Sequence, residues 1–121
     1  MSSALKYFSQ TDFDRAEPPC ELSDMCPRFM ARLDYAREIA ETPFVVNSAY
    51  RNVQHEHARG RDGSSSHTKG IAIDIRARTS RERYKVLKGL MKAGFNRIGI
   101  AETFIHADTD KEKPPEVLWR Y

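Results

Sequence analysis

Ser65-Ser66-His67-Thr68-Lys69-Gly70-Ile71-Ala72-Ile73-Asp74-Ile75 is the stretch on which the reading of this chain turns. From Ile71 to Ile75 it alternates strictly, the period of a half-buried β-strand. Side chains two apart share a face, so the isoleucines turn toward a core while Gly70, Ala72 and Asp74 turn the other way. That second face has little bulk and ends in a carboxylate, which leaves room for an ion and a substrate backbone. His67, in the loop entering the strand, can fold back toward the same place.

A second imidazole lies downstream in Phe104-Ile105-His106-Ala107-Asp108, predicted as another strand. His67, Asp74 and His106 together read as a three-ligand zinc site. Catalytic zinc takes three protein ligands from His, Asp and Glu, keeps a fourth position open, and brings the pKa of a water there near neutrality. Such chemistry needs a carboxylate to take the remaining proton and pass it to the leaving amine. Asp108 shares a strand face with His106, and so nominally does Glu102 four residues earlier; both are candidates, with Asp108 favoured. Arg51 offers a two-pronged hydrogen bond to a substrate carboxylate, and Tyr50 beside it can line the pocket.

Around these residues the remaining elements fall into place. The first 22 residues, with Pro18-Pro19, read as an arm wrapped on the domain rather than an element of it. A helix is predicted from Ser23 to Glu41, with Pro27 tolerated near its start and Phe29, Leu33, Ala36 and Ala40 on one stripe. Phe44 to Ser48 is a β-branched run read as a strand. Residues 51 to 66 read as a long polar loop, a kind of segment that is often functional in a small domain. His55 and His57 on that loop read as solvated rather than as a second metal site.

A second helix fits Ser80 to Ala93, with a capping box at Thr79 and Glu82 and Gly94 ending it. Tyr84, Leu87 and Met91, with Leu90 beside them, are its expected buried face. Strands follow near Arg97–Ala101 and Phe104–Ala107, and a last one around Val117-Leu118-Trp119, where Trp119 is expected to anchor the strand. Lys111-Glu112-Lys113 reads as a solvated turn. The order of elements predicts an α+β domain with a small, mainly antiparallel sheet packed with helices.

With 121 residues the chain makes one domain, spanning 1–121, and not two. The net charge of +3 comes from 20 basic and 17 acidic side chains that are interspersed, which gives no reason to infer nucleic-acid binding. No apolar run reaches about 18 residues, so no membrane span is expected. The N-terminus lacks the charged head and apolar stretch of a secretory signal, so the protein as given is expected to be made in the cytoplasm. A monomer is expected, and Cys20 and Cys26 are read as free thiols.

Ser65-x-His67-x-x-Gly70-x-Ala72-x-Asp74 resembles the signature of the zinc D-alanyl-D-alanine carboxypeptidase family of bacterial and phage cell-wall peptidases. Ser48-Ala49-Tyr50-Arg51 is similar to that family's Ser-Gly-x-Arg segment. Gly94-Phe95-Asn96-Arg97-Ile98-Gly99-Ile100, leading into Phe104 to Asp108, resembles its small members. The resemblance covers roughly residues 28 to 121. It implies the Hedgehog/DD-peptidase fold, one zinc held by His67, Asp74 and His106, and cleavage of peptidoglycan stem peptides. It further implies that Arg51 binds a substrate carboxylate or carbonyl and that Ser65 braces the first ligand. One departure stands out. Many relatives carry the base as Glu or Asp three residues before the last histidine, where this chain has Thr103. A phage endolysin or a wall-remodelling carboxypeptidase or endopeptidase is the first expectation, with action on the wall after release or export. A zinc-stabilised module that grips peptidoglycan without cutting it is the alternative.

Overall fold

A computed structural model describes residues 4–121. Five strands form one sheet in the order β1-β2-β4-β3-β5: β1 Val46–Ser48, β2 Ala72–Arg76, β3 Arg97–Ile100, β4 Phe104–Asp108 and β5 Val117–Arg120. Every pairing is antiparallel except that of β5, which runs parallel to β3. Four α-helices accompany the sheet among the described residues: α1 Gln10–Asp14, α2 Pro27–Ala40, α3 Val53–Ala58 and α4 Ser80–Lys92. The α+β architecture and the mainly antiparallel sheet agree with the sequence.

Ile73 and Ile75 of β2, Ile98 of β3 and Ile105 of β4 are buried on one face of the sheet, against Phe29, Leu33 and Ala36 of α2 and Val86 and Leu90 of α4. Burying a Leu or Ile side chain contributes about 1.5–3 kcal/mol. This face therefore holds the domain together and frees the opposite one for chemistry.

Several expectations change in detail. Helix α2 begins at Pro27 rather than Ser23. Proline has no N–H to leave unpaired at the first helical position, and a separate 3-10 turn, Leu22–Asp24, takes up the preceding residues. The arm is part of the fold: α1 drives Phe13 into the core, fully buried, with Phe8 and Ala16 alongside. The segment 51–66 is not structureless. Asn52 Oδ1 accepts from His55 N at 2.7 Å and starts α3, which carries both His55 and His57.

The buried stripe of α4 is also not the expected one. Tyr84 is 68% exposed and Met91 56%, Leu87 is only partly buried, and Val86, Gly89 and Leu90 face α2. The cause is Gly89. A Cβ there would lie 2.5 Å from the Ala36 carbonyl oxygen and 2.8 Å from Ala40 Cβ, so the helices meet at the one position without a side chain.

Candidate metal centre

The sheet register builds the site. Reading across all five strands, Ser48 pairs with Asp74, Asp74 with His106, His106 with Gly99, and Gly99 with Trp119. Paired residues share a face, so these five form one row on the side of the sheet away from the helices. Alternation within β2 and β4 sends the isoleucines to the helices and the two ligand candidates into this row.

His67 reaches the row from a 3-10 turn, Ser66–Lys69. Ser65 starts the turn, its Oγ accepting from His67 N at 3.2 Å, and Gly70 ends it at φ 71°. Gly70 is irreplaceable on two counts, the left-handed backbone and a Cβ that would run into the Asp24 carbonyl. The His67 ring is 2% exposed, and its Nδ1 donates to the Ala49 carbonyl at 2.6 Å. A carbonyl only accepts, so the proton sits on Nδ1 and the lone pair is left on Nε2, which points at Asp74 Oδ1 from 3.4 Å.

His106 Nδ1 lies 2.9 Å from the same Asp74 oxygen, while its Nε2 lies 2.7 Å from Asp108 Oδ2. The ligand atoms offered by His67, Asp74 and His106 all fall within 4.8 Å of one another. A tetrahedral zinc with bonds of about 2.0–2.2 Å requires ligand atoms spaced roughly 3.3–3.6 Å, so a small rearrangement around an ion suffices, with the 2.9 Å His106–Asp74 pair opening slightly. Among the described residues this is the group of His, Cys, Asp and Glu side chains with that property; His55 and His57 are not in it.

The charges are mutually adjusted. Burial alone would raise the Asp74 carboxyl, but the hydrogen bond from His106, with the His67 imidazole alongside, outweighs it and holds the group well below the usual carboxylate range. Burial alone would lower the His106 imidazole, yet the hydrogen bonds to Asp108 and Asp74 leave it raised. Asp108 is depressed against its own burial by His106 and by the backbone N–H of Asp110.

The other expected site residues fall in distinct places. Arg51 stands beside His67: its backbone N–H donates to the His67 carbonyl at 3.2 Å, and its Nη2 lies 3.5 Å from Ser65 Oγ. Asp108 is 1% exposed and engaged through both oxygens, by His106 at 2.7 Å and by Arg97 Nε at 2.7 Å. Glu102 sits exposed in the turn before β4, where its backbone carbonyl accepts from Arg83 at 2.8 Å. The strand alternation that would carry its side chain to the face of His106 begins only at Phe104. Tyr50 lines a groove with Pro18, Pro19 and Cys20 of the N-terminal segment. Cys20 and Cys26 are both free thiols.

Three contributors were not legible beforehand. The Ala49 carbonyl sets the His67 tautomer. Arg97 holds Asp108 and also lies over the Trp119 ring at 5.3 Å. Trp119 packs on Gly99 and sits 5.5 Å from the His106 ring, so it walls the centre as well as anchoring β5. Arg97-x-Gly99 within a strand was the available signal for the last two, since a glycine in a strand marks a close approach.

A family model described as Peptidase M15 matches residues 7–108. The chain belongs to the Peptidase M15 family. The match takes in most of the N-terminal segment, beginning well before residue 28, and stops short of β5. Membership places the chain among metallopeptidases, with peptides as the class of substrate. A search of curated proteins gave no match. No helix among the described residues is long and apolar enough to cross a membrane.

Proposed function

We propose that this protein is a zinc peptidase that hydrolyses peptide bonds in peptidoglycan stem peptides. The ion would be held by His67 Nε2, Asp74 and His106 Nδ1. The observation that carries this reading is the donor set itself: two imidazole nitrogens and one carboxylate converge, and each imidazole's second nitrogen is already engaged by a hydrogen-bond acceptor. That arrangement orients both rings toward a shared point, as outer partners do in histidine metal sites. Bound there, zinc supplies Lewis-acid activation of water and of the scissile carbonyl.

The protein's own groups account for the rest. Asp108 accepts from His106 Nε2–H, and Arg97 grips Asp108 from behind, so the ring plane is fixed and Nδ1 is left for the ion. Geometry supports this positioning role for Asp108 more strongly than the base role expected from sequence, because neither oxygen is free. Glu102 has less support still, being outside the strand. Arg51, flanking the first ligand through Ser65, is suited to hold a substrate carboxylate or carbonyl. Trp119 closes one side of the cleft.

Protein reconstituted with zinc should carry one ion per chain, and His67→Ala should lose it. Mass spectrometry of digested sacculi should give one product series, fixing both the bond cut and whether termini or internal bonds are attacked. No zinc after reconstitution would overturn the proposal. The second reading, a zinc-stabilised peptidoglycan-binding module without hydrolysis, draws on Thr103 and on the engaged state of Asp108. New amino termini released from sacculi would exclude it.

A further inference from the structure

Glu56 is the one fully buried glutamate among the described residues, and the reading of the metal centre makes no use of it. It sits on α3, and Arg61 and Arg51 approach the same carboxylate oxygen. Arg61 Nη1 donates to Oε2 at 2.8 Å, and Arg51 Nε lies 3.5 Å from it. The two arginines differ in exposure, 47% for the Arg61 side chain and 16% for that of Arg51. A fully buried carboxylate is costly unless paired, and removing its charge leaves its partners uncompensated. Here both partners are cations held within roughly 6 Å of each other by the oxygen between them.

From this we infer that Glu56 is a positioning residue for Arg51. It holds the guanidinium by its Nε side, so that the terminal nitrogens face the cleft beside His67 and meet a substrate's terminal carboxylate. The inference rests on the proposed role of Arg51.

Two further observations converge on it. Among buried side-chain atoms, Glu56 Oε1 and Arg51 Nε both lack a hydrogen-bond partner. Orphaned buried polar atoms are rare and call for a cause. A rotation of the Glu56 carboxylate that brings Oε1 to Arg51 Nε would satisfy both at once, leaving Oε2 to Arg61. The cluster is thus one small motion short of a closed pair, and a substrate anion drawing Arg51 into place would complete it. The second observation is connectivity. Arg51 is tied to the metal-bearing turn through the His67 carbonyl and Ser65 Oγ, and Arg61 N donates to the Glu56 carbonyl at 2.8 Å. Glu56 therefore fastens residues 51 and 61 to one point on α3, with the anion-binding Arg51 next to the first ligand.

Charge and position make opposite forecasts for Glu56→Gln. Removing a negative charge would by itself strengthen attraction for an anion. Losing the anchor sets two cations against each other and lets Arg51 swing away. Position carries the greater weight, because the Glu56 carboxylate is fully buried between the two guanidinium groups and shielded from water.

The test compares wild type and Glu56→Gln, both zinc-loaded, on a stem-type peptide ending in a free D-alanine carboxylate and on its C-terminal amide. KM for the free acid should rise roughly tenfold, kcat should change little, and the amide should be unaffected. Equal effects on both peptides, or a lower KM for the acid, would overturn the inference. A readout independent of turnover keeps this separate from the peptidase reading. The Arg51 Nε–H resonance should be slow to exchange with water in wild type and fast in Glu56→Gln, with zinc content unchanged. If that resonance is unaltered by the substitution, Glu56 does not position Arg51, whether or not any peptide is cut.

Discussion

Replacing Asp108 by Asn separates the roles this carboxylate could play. In the structure Oδ2 lies 2.7 Å from His106 Nε2, and Oδ1 accepts from Arg97 Nε at 2.7 Å and from Asp110 N at 3.1 Å. The amide keeps the shape but loses the charge and one acceptor, so either the imidazole or the guanidinium meets an NH2 group. Loss of an outer partner of this kind typically weakens metal binding 10–100-fold, about 1.4–2.7 kcal/mol. The unpaired Arg97, only 11% exposed, should add roughly 1–3 kcal/mol of lost stability even without metal. Competition against a chelator of known affinity gives the first number, and denaturant unfolding of the metal-free protein gives the second. Zinc affinity within twofold of wild type, together with abolished hydrolysis, would refute the positioning role and restore Asp108 as the proton acceptor. A fall in stability alone would reduce it to a structural ion pair.

Further outcomes follow from the same geometry. Because the His106 imidazole is raised by its two carboxylates, zinc binding near pH 6 should release about one proton, measurable by calorimetry in buffers of different ionisation enthalpy. The metal-free protein should lose stability as pH falls below about 4, since the depressed Asp74, Asp108 and Asp110 carboxyls contribute only while ionised. It should also lose the His106 contribution as pH rises above about 6.5 and through that group's raised folded value, giving an optimum between the two limits in thermal scans. Gly89→Ala should destabilise by roughly 1–3 kcal/mol despite alanine's better helix propensity, because its methyl would strike Ala36 and Ala40. Leu90→Ala should cost about 2–5 kcal/mol, whereas Tyr84→Ala should stay within about 0.5, a contrast that urea unfolding can check.

What the sequence determined by itself was local or periodic. The capping box formed as expected, with Thr79 Oγ accepting from Glu82 N at 3.1 Å and Glu82 Oε1 accepting from Thr79 N at 3.3 Å, because its partners are three residues apart. Strand alternation put Ile73 and Ile75 in the core and Asp74 on the open face, and the His67, Asp74 and His106 types already spelled out a donor set. Only the tertiary structure decided matters that depend on a facing surface. Two apolar stripes run along α4, and neither spacing nor hydrophobicity could choose between them; the close approach of Ala36 and Ala40 to Gly89 did. Asp108 beside a histidine reads as a base until Arg97, from another strand, is seen to occupy it. Nothing in the polar run around Glu56 signals burial, because Arg51 and Arg61, five residues to either side, meet its carboxylate only once α3 and its flanking turns are folded onto the domain.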